Sequence, residues 1–271
     1  LFVIDPMRHN PRALADSPVG SSPSLETEVC AGKGLLEALA ERASVVVTDE
    51  FPCFFLPRMV AAAREQVPVR FEQVDSCGLL PLRATDRVFA RAFDLRRYLQ
   101  KHLLPHLADT PHPDPTADDR LKPFSELPAD VTARWPVADP AAFVDDPSLL
   151  AEFPLDHDVP VADTVGGPAA ARPALDTFLS EKLDAYHDLR NEPAEDVTSG
   201  LSPYLHFGHI SVHEVFAAVA DREHWTPDRV ADNSTGSARG WWRMSEPAEG
   251  FLDELITCRE SGSNMCRHPA D

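Results

Sequence analysis

Lysine is scarce in this chain. Four residues, Lys33, Lys101, Lys122 and Lys182, stand among 271, and arginine raises the basic total only to 25 against 44 acidic residues. The net charge is therefore 25 − 44 = −19 with histidine neutral. That balance argues against attraction to nucleic acid through net charge, and it does not exclude a local basic patch. No apolar run approaches the roughly 20 residues of a membrane span. No basic leader followed by an apolar stretch opens the sequence, so neither a membrane span nor a secretory signal is expected. Cysteine is sparse too: Cys30, Cys53, Cys77, Cys258 and Cys266, with no two at CxxC spacing. An odd count without that spacing argues against a disulfide framework or a cysteine zinc site, and fits a reducing cytoplasm. No internal repeat is present.

Proline is abundant, 26 residues against a usual share of about 5%, so long irregular connections are expected. The length admits one large domain or two smaller ones. In the first part, Leu35, Leu36, Leu39 and Ala40 have helical spacing. Ser44–Thr48 and Val67–Val74 read as strands. Between them, Pro57 opens a helix through Arg64, and a further helix is expected from about Asp86 to His102. Strand, helix, strand implies a parallel pair in a doubly wound sheet. The sequence is thus divided into an α/β domain over residues 1–107, a Pro/Asp-rich connection over 108–171 and an all-helical domain over 172–271. In the last part Leu175, Phe178, Leu179, Leu183 and Tyr186 share a face. Pro203–Ala220 and Pro247–Thr257 are read as two further helices.

Ala31–Gly34 has a Gly-Lys pair, but Thr27 and Gly34 stand where a phosphate loop requires Gly and Ser or Thr, so an ordinary turn is expected. His206, His209 and His213 fall at i, i+3 and i+7 of the expected helix. They admit either a metal site or plain packing, and no metal is assigned. Thr198-Ser-Gly-Leu-Ser-Pro-Tyr-Leu-His-Phe-Gly208 is more telling. Ser202 suits an N-cap and Pro203 the first helical position. Three hydroxyls before free backbone N–H groups make an anion site, the alternative being a well-capped helix that binds nothing. Tyr186 and Arg190, four apart, share a face upstream. In Phe251–Glu260, Glu254 and Cys258 are one turn apart with Arg259 alongside. A carboxylate there can meet a base edge and an arginine a phosphate, or both can be solvated surface charges.

Together, Val45–Met59, Val74–Leu82, Thr198–Gly208 and Phe251–Cys266 resemble the photolyase/cryptochrome family, specifically class II cyclobutane pyrimidine dimer photolyases, in family order over nearly the whole chain. The resemblance implies an α/β domain followed by an all-α FAD-binding domain. It implies that reduced, photoexcited FAD passes an electron to a pyrimidine dimer flipped out of DNA. It also implies flavin contacts from Tyr186, from Thr198, Ser199, Gly200, Leu201 and Ser202, and from Phe251. Arg190 and Arg259 are implied to face DNA, and Glu254 to hydrogen-bond the dimer. Cys258 stands where the family has the Trp that stacks on the dimer, Ser261 where Leu is usual and Cys77 where Asn is usual. The start at Leu1, without Met, and the stop at Asp271 imply a chain truncated at both ends. The sheet and the flavin pocket would then be incomplete. The expected partner is damaged DNA, with no membrane, in a monomeric protein. The antenna chromophore is left unassigned. A cryptochrome-like photoreceptor and an inactive photolyase fragment are the alternatives.

Overall fold

The computed structural model describes residues 1–112, 114–117, 122–124 and 126–268; Pro113 of the Pro-rich connection and the terminal Asp271 lie outside the described residues. In chain order the helices and strands are α1 (Ile4–Met7), α2 (Asn10–Ala13), α3 (Leu35–Ala40), β1 (Val45–Asp49), α4 (Leu56–Gln66), β2 (Arg70–Val74), α5 (Ala92–His102), α6 (Leu104–Leu107), α7 (Ala129–Arg134) and α8 (Pro140–Asp145). They continue with α9 (Pro168–Thr177), α10 (Leu183–Leu189), α11 (Ser202–His206), α12 (Val212–Arg222), α13 (Glu246–Leu252) and α14 (Arg259–Arg267). Two π-helical turns, Phe178–Lys182 and Asp253–Cys258, join α9 to α10 and α13 to α14.

The β-branched Val45–Thr48 run forms β1, which pairs with β2 in a two-stranded parallel sheet through the α4 crossover. Val45 and Val47 are exposed on it.

The chain divides into two compact units. One comprises Leu1–Val47, Ala61–Glu72 and His112–Ala170. The Pro/Asp-rich segment thus packs with the start of the chain. Its irregular stretches exchange backbone bonds with that start: Phe124 N–H donates to the Pro18 carbonyl at 2.7 Å, and Ala138 N–H to that of Pro23 at 2.9 Å. Packing of α1 on α8 and of α3 on α7 closes this unit. The Trp135 indole N–H donates to the Ala31 carbonyl at 3.2 Å, so the Ala31–Gly34 stretch is an ordinary turn tied by an indole.

The other unit comprises Thr48–Val60, Gln73–Pro111 and Ala171–Asp271. Its core is apolar and dense: Leu95, Leu99, Leu103, Phe178, Leu183, Val215, Val219, Leu252 and Ile256 are all buried. Burial of each such side chain contributes about 1.5–3 kcal/mol. Packing of α10 on α13 is the main helix–helix contact. Arg96 of α5 grips Asp253 of the second π turn through two bonds of 2.7 and 3.1 Å.

Two helices differ from the sequence reading. The helix expected from Asp86 begins at Ala92. Asn264 takes the backbone groups of the preceding stretch, donating to the Arg87 carbonyl at 3.0 Å and accepting from Phe89 N–H at 3.2 Å. The helix expected over Pro203–Ala220 is two helices. Gly208 ends the first in a left-handed conformation (φ +69°), with His209 N–H returning to the Tyr204 carbonyl at 2.8 Å. This is a helix-ending glycine turn. Ser211 then caps the second, accepting from Glu214 N–H at 3.0 Å.

Candidate functional site

A cavity of about 870 Å³ opens within the second unit. That volume lies in the roughly 300–1,000 Å³ range of small-molecule and cofactor sites. Three parts of the chain build its walls: the loops after β1 and β2, the Tyr186–Ser202 stretch, and the π turn that runs into α14.

The Tyr186–Ser202 wall is set by helical spacing. Tyr186 and Arg190 lie on one face of α10, and the guanidinium sits 5.6 Å from the ring centroid. Tyr186, Phe251 and Phe178 pack edge-on and tilted, with centroids 4.6–5.6 Å apart. Phe178 is fully buried behind the other two, which line the cavity. Such aromatic pairs contribute about 0.5–1.5 kcal/mol beyond their burial. Burial pushes the Tyr186 phenol above its ordinary value, opposed by its hydrogen bond with Arg190, so it remains a neutral phenol at neutral pH.

The Thr198–Ser202 turn bends through Gly200 at φ +65°, and nothing lies within 4 Å of where a Cβ would point. Thr198, Ser199, Gly200 and Ser202 line the cavity; Leu201 does not. Leu201 is core, 1% exposed, and its N–H is taken by the Ser199 hydroxyl at 3.3 Å. Ser202 is not the N-cap. It is the first residue of the five-residue α11, Leu201 precedes it in helical conformation, and no side chain caps the helix. A helix this short aligns few peptide dipoles, so the macrodipole expected here is small. The polar character of this wall comes from the three hydroxyls.

Glu254 and Cys258 project from the Asp253–Cys258 π turn and line the cavity. Arg190 donates to Glu254 at 2.9 Å and to the Gly250 carbonyl at 3.3 Å. The expected dimer-binding carboxylate and one expected DNA-facing arginine are therefore partners of each other. One guanidinium donor still leaves a carboxylate most of its lone pairs. The Cys258 thiol is pushed up to about 11, first by partial burial and next by its bond to Glu254, so it stays protonated at neutral pH.

Arg259 also lines the cavity, but its Nε donates to the Cys77 carbonyl at 2.8 Å. Its neighbour Glu260 is buried and accepts from the N–H groups of Leu79 and Leu80 at 2.8 and 3.1 Å. Consecutive residues of α14 thus hold the loop after β2. Asp75 braces it from within by accepting from Cys77 and Leu82 N–H.

Ten of the eleven site residues marked by sequence therefore line one cavity, with Leu201 behind it. Sequence reasoning placed none of Phe51, Cys53, Cys77, Asn191, His206, Gly262 and Ser263 on these walls, although Cys77 and His206 stood out there for other reasons. A signal for the first three existed. They lie just past the carboxyl ends of two parallel strands, where open α/β sheets form their ligand crevices. The three histidines do not share a helix: His206 ends α11, His209 lies in the connection and His213 is on α12. Burial lowers the pKa of both His209 and His213. Among the described residues no three His, Cys, Asp or Glu side chains are grouped to hold a metal ion, and no helix is long and apolar enough to cross a membrane.

No protein-family model matches the chain. Among curated proteins it is similar to a deoxyribodipyrimidine photo-lyase of Oryza sativa subsp. japonica, 30% identical over 250 residues, which are 87% of this chain and 42% of the rice protein. A protein of the same name from Potorous tridactylus is 25% identical over 225 residues, 82% of this chain and 36% of that protein. One from Methanothermobacter thermautotrophicus is 38% identical over 105 residues, 38% of this chain and 18% of that protein. The chain thus spans less than half the length of these relatives. Among solved structures its fold resembles that of a bacterial class III photolyase from Agrobacterium tumefaciens, with a TM-score of 0.54 at 17% identity, over 87% of this chain and 43% of that one.

Proposed function

Because the chain belongs to the photolyase/cryptochrome family, we propose that its cavity holds FAD and that it serves light-driven repair of cyclobutane pyrimidine dimers in DNA, in the manner of class II enzymes. The observation that carries this reading is the convergence of Tyr186, Thr198, Ser199, Ser202, Phe251 and Glu254 on one cavity.

The donor set fits a flavin nucleotide. Three hydroxyls and an open left-handed glycine offer a polar cradle for phosphate and ribityl oxygens, with the Arg190 guanidinium nearby. Tyr186 and Phe251 offer aromatic surface to a ring system. Bound FAD supplies the light-driven electron that opens the dimer. The chain's own residues do the rest. Phe178 fixes the Tyr186 and Phe251 rings from behind. Arg190 holds Glu254 in place and partly neutralises it, and the remaining lone pairs of Glu254 accept from the ring N3–H of a flipped thymine. Arg259 keeps four donors beyond the one given to Cys77, and these face an incoming phosphate.

Cys258 supports a second reading, a flavin photoreceptor without lesion chemistry. A thiol at the cavity wall presents little stacking surface to a flipped-out pyrimidine dimer. The relatives are deoxyribodipyrimidine photo-lyases, which favours repair.

The test is direct. The purified chain is mixed with FAD, freed of excess and scanned in the visible. A structured flavin band near one FAD per chain is the expected result, followed by blue-light repair of an oligonucleotide carrying one thymine dimer. Cys258→Trp should raise repair and leave flavin retention unchanged. Retained flavin with no repair, even in Cys258→Trp, would favour the photoreceptor. Absence of retained flavin would overturn the cofactor assignment for this chain.

A further inference from the structure

The net charge of −19 conceals one basic stretch. Between residues 83 and 102 stand Arg83, Arg87, Arg91, Arg96, Arg97 and Lys101 against Asp86 and Asp94, a balance of 6 − 2 = +4. Of the six, all but Arg96 are exposed. Three already have partners: Arg83 pairs with Glu50 at 2.6 Å, Arg91 with Asp94 at 2.8 Å and Arg96 with Asp253 at 2.7 Å. Among the described residues no carboxylate lies at ion-pair distance from Arg87, Arg97 or Lys101. Arg97 and Lys101 are one turn apart on α5, and Phe93 is one turn before them, so the three fall along one face. Phe93 is 48% exposed, which leaves half of its surface open to contact.

This face is held on a clamped scaffold. Gly236 N–H donates to the Gln100 side chain at 2.8 Å, Arg96 donates to the Gly236 carbonyl at 3.2 Å, and Gln100 donates to the Ser237 carbonyl at 2.9 Å. At φ +83° Gly236 packs where no side chain fits: a Cβ there would lie 2.8 Å from the Phe93 carbonyl, 3.1 Å from the Phe93 ring and 3.2 Å from the Arg97 Cβ. The loop thus fixes the roots of Phe93 and Arg97 while the Arg97 head stays in solvent. We propose that this outer face of α5 docks single-stranded nucleic acid, with Arg97 and Lys101 taking backbone phosphates and Phe93 stacking on one base.

Charge complementarity selects a polyanion, and the aromatic ring selects the strand. In a duplex the base faces are stacked on one another and only the cations would be used. In a single strand each base offers a free face, and a half-exposed ring beside two cations meets both parts of the ligand. Arg87 extends the row. Asp94 is held below the ordinary carboxylate range, first by its bond from Arg91 and then by the charges of Arg91, Arg87 and Arg97. Already paired, Asp94 offers little repulsion to a phosphate. None of Arg87, Phe93, Arg97 and Lys101 lines the cavity, so docking here needs neither flavin nor a lesion.

The full chain, without added FAD, is titrated into an undamaged fluorescein-labelled oligothymidylate of about 15 nucleotides, and anisotropy is read from about 50 to about 200 mM salt. Arg97→Gln combined with Lys101→Gln removes two phosphate contacts. At a slope of about 0.7 per contact, the wild type should lose about sevenfold more affinity than this variant across that range of salt. Phe93→Leu should bind about fivefold or more weakly at every salt concentration, with the salt slope unchanged. The glutamine variant, whose changes are exposed, carries the test alone if Phe93→Leu fails to fold. Absence of binding at the lowest salt, equal salt slopes in the wild type and the glutamine variant, or tighter binding of the matching duplex would overturn the inference. So would displacement by polyglutamate as effective as that by unlabelled oligonucleotide, which would mark a surface for acidic protein. Release of the oligonucleotide by FAD would place it in the cavity instead. A chain that retains no flavin can still pass every one of these measurements.

Discussion

Glu260 should make the stability of this protein fall as the pH rises through the weakly acidic range. Its side chain is buried under the loop after β2, where one oxygen accepts both the Leu79 and Leu80 N–H groups. Gly78 leaves the space for it: a Cβ there would lie 2.1 Å from that oxygen. Burial pushes the carboxyl up to about 7 from 4.5, and the two backbone donors only partly oppose the shift. A carboxyl whose pKa is higher in the folded chain binds its proton more tightly when folded. Its contribution is therefore most favourable below pH 4.5 and is lost as the pH climbs to 7. At 1.36 kcal/mol per unit the loss is about 3 kcal/mol. Glu260→Gln keeps the accepting oxygen and removes the titration. Urea unfolding of both proteins at pH 5, 6, 7 and 8 isolates the group, because the effects of the other 43 acidic residues cancel in the difference. The variant should gain on the wild type by about 2 to 3 kcal/mol between pH 5 and pH 8. Parallel pH profiles would refute the reasoning, and would mean that Glu260 is ionised throughout and fully satisfied by its two donors.

Four further outcomes follow from the same geometry. Gly78→Ala should cost about 1–3 kcal/mol in urea unfolding, because the new methyl meets a buried carboxylate rather than a flexible end. Phe178→Ala should cost about 3–5 kcal/mol and weaken flavin retention as well, since it removes the backing of Tyr186 and Phe251. Arg190 and Glu254, both partly exposed, should show a coupling of only about 0–1 kcal/mol in a double-mutant stability cycle. Glu254→Gln should accordingly leave stability nearly unchanged while lowering repair of a dimer-containing oligonucleotide, measured under blue light.

What the sequence disclosed and what it hid have physical causes. Spacing within a helix was readable: Tyr186 and Arg190, four residues apart, meet as expected, and Glu254 and Cys258, at the same interval, line the same cavity. These are local relations fixed by helix geometry. The break inside Pro203–Ala220 was readable in principle. Gly208 is a helix-ending residue, and Ser211 with Glu214 is a helix-starting pair. Apolar periodicity continued through both and masked them. The relations that build the rest of the site are of another kind. Arg259 and Glu260 grip backbone atoms of Cys77, Leu79 and Leu80, about 180 residues away in sequence. A carbonyl or an N–H carries no side-chain signature, so neither end of those bonds could be guessed from residue types. Arg259 consequently reads in the sequence as a free cation beside a carboxylate, whereas in the fold one of its donors is already committed. The same holds for Asn264, whose amide replaces the expected first turn of α5 by bonding the backbone on either side of Val88. In this site the sequence names the groups that line the cavity. The side chains that hold the walls against one another become visible only when the backbone they bind has a position.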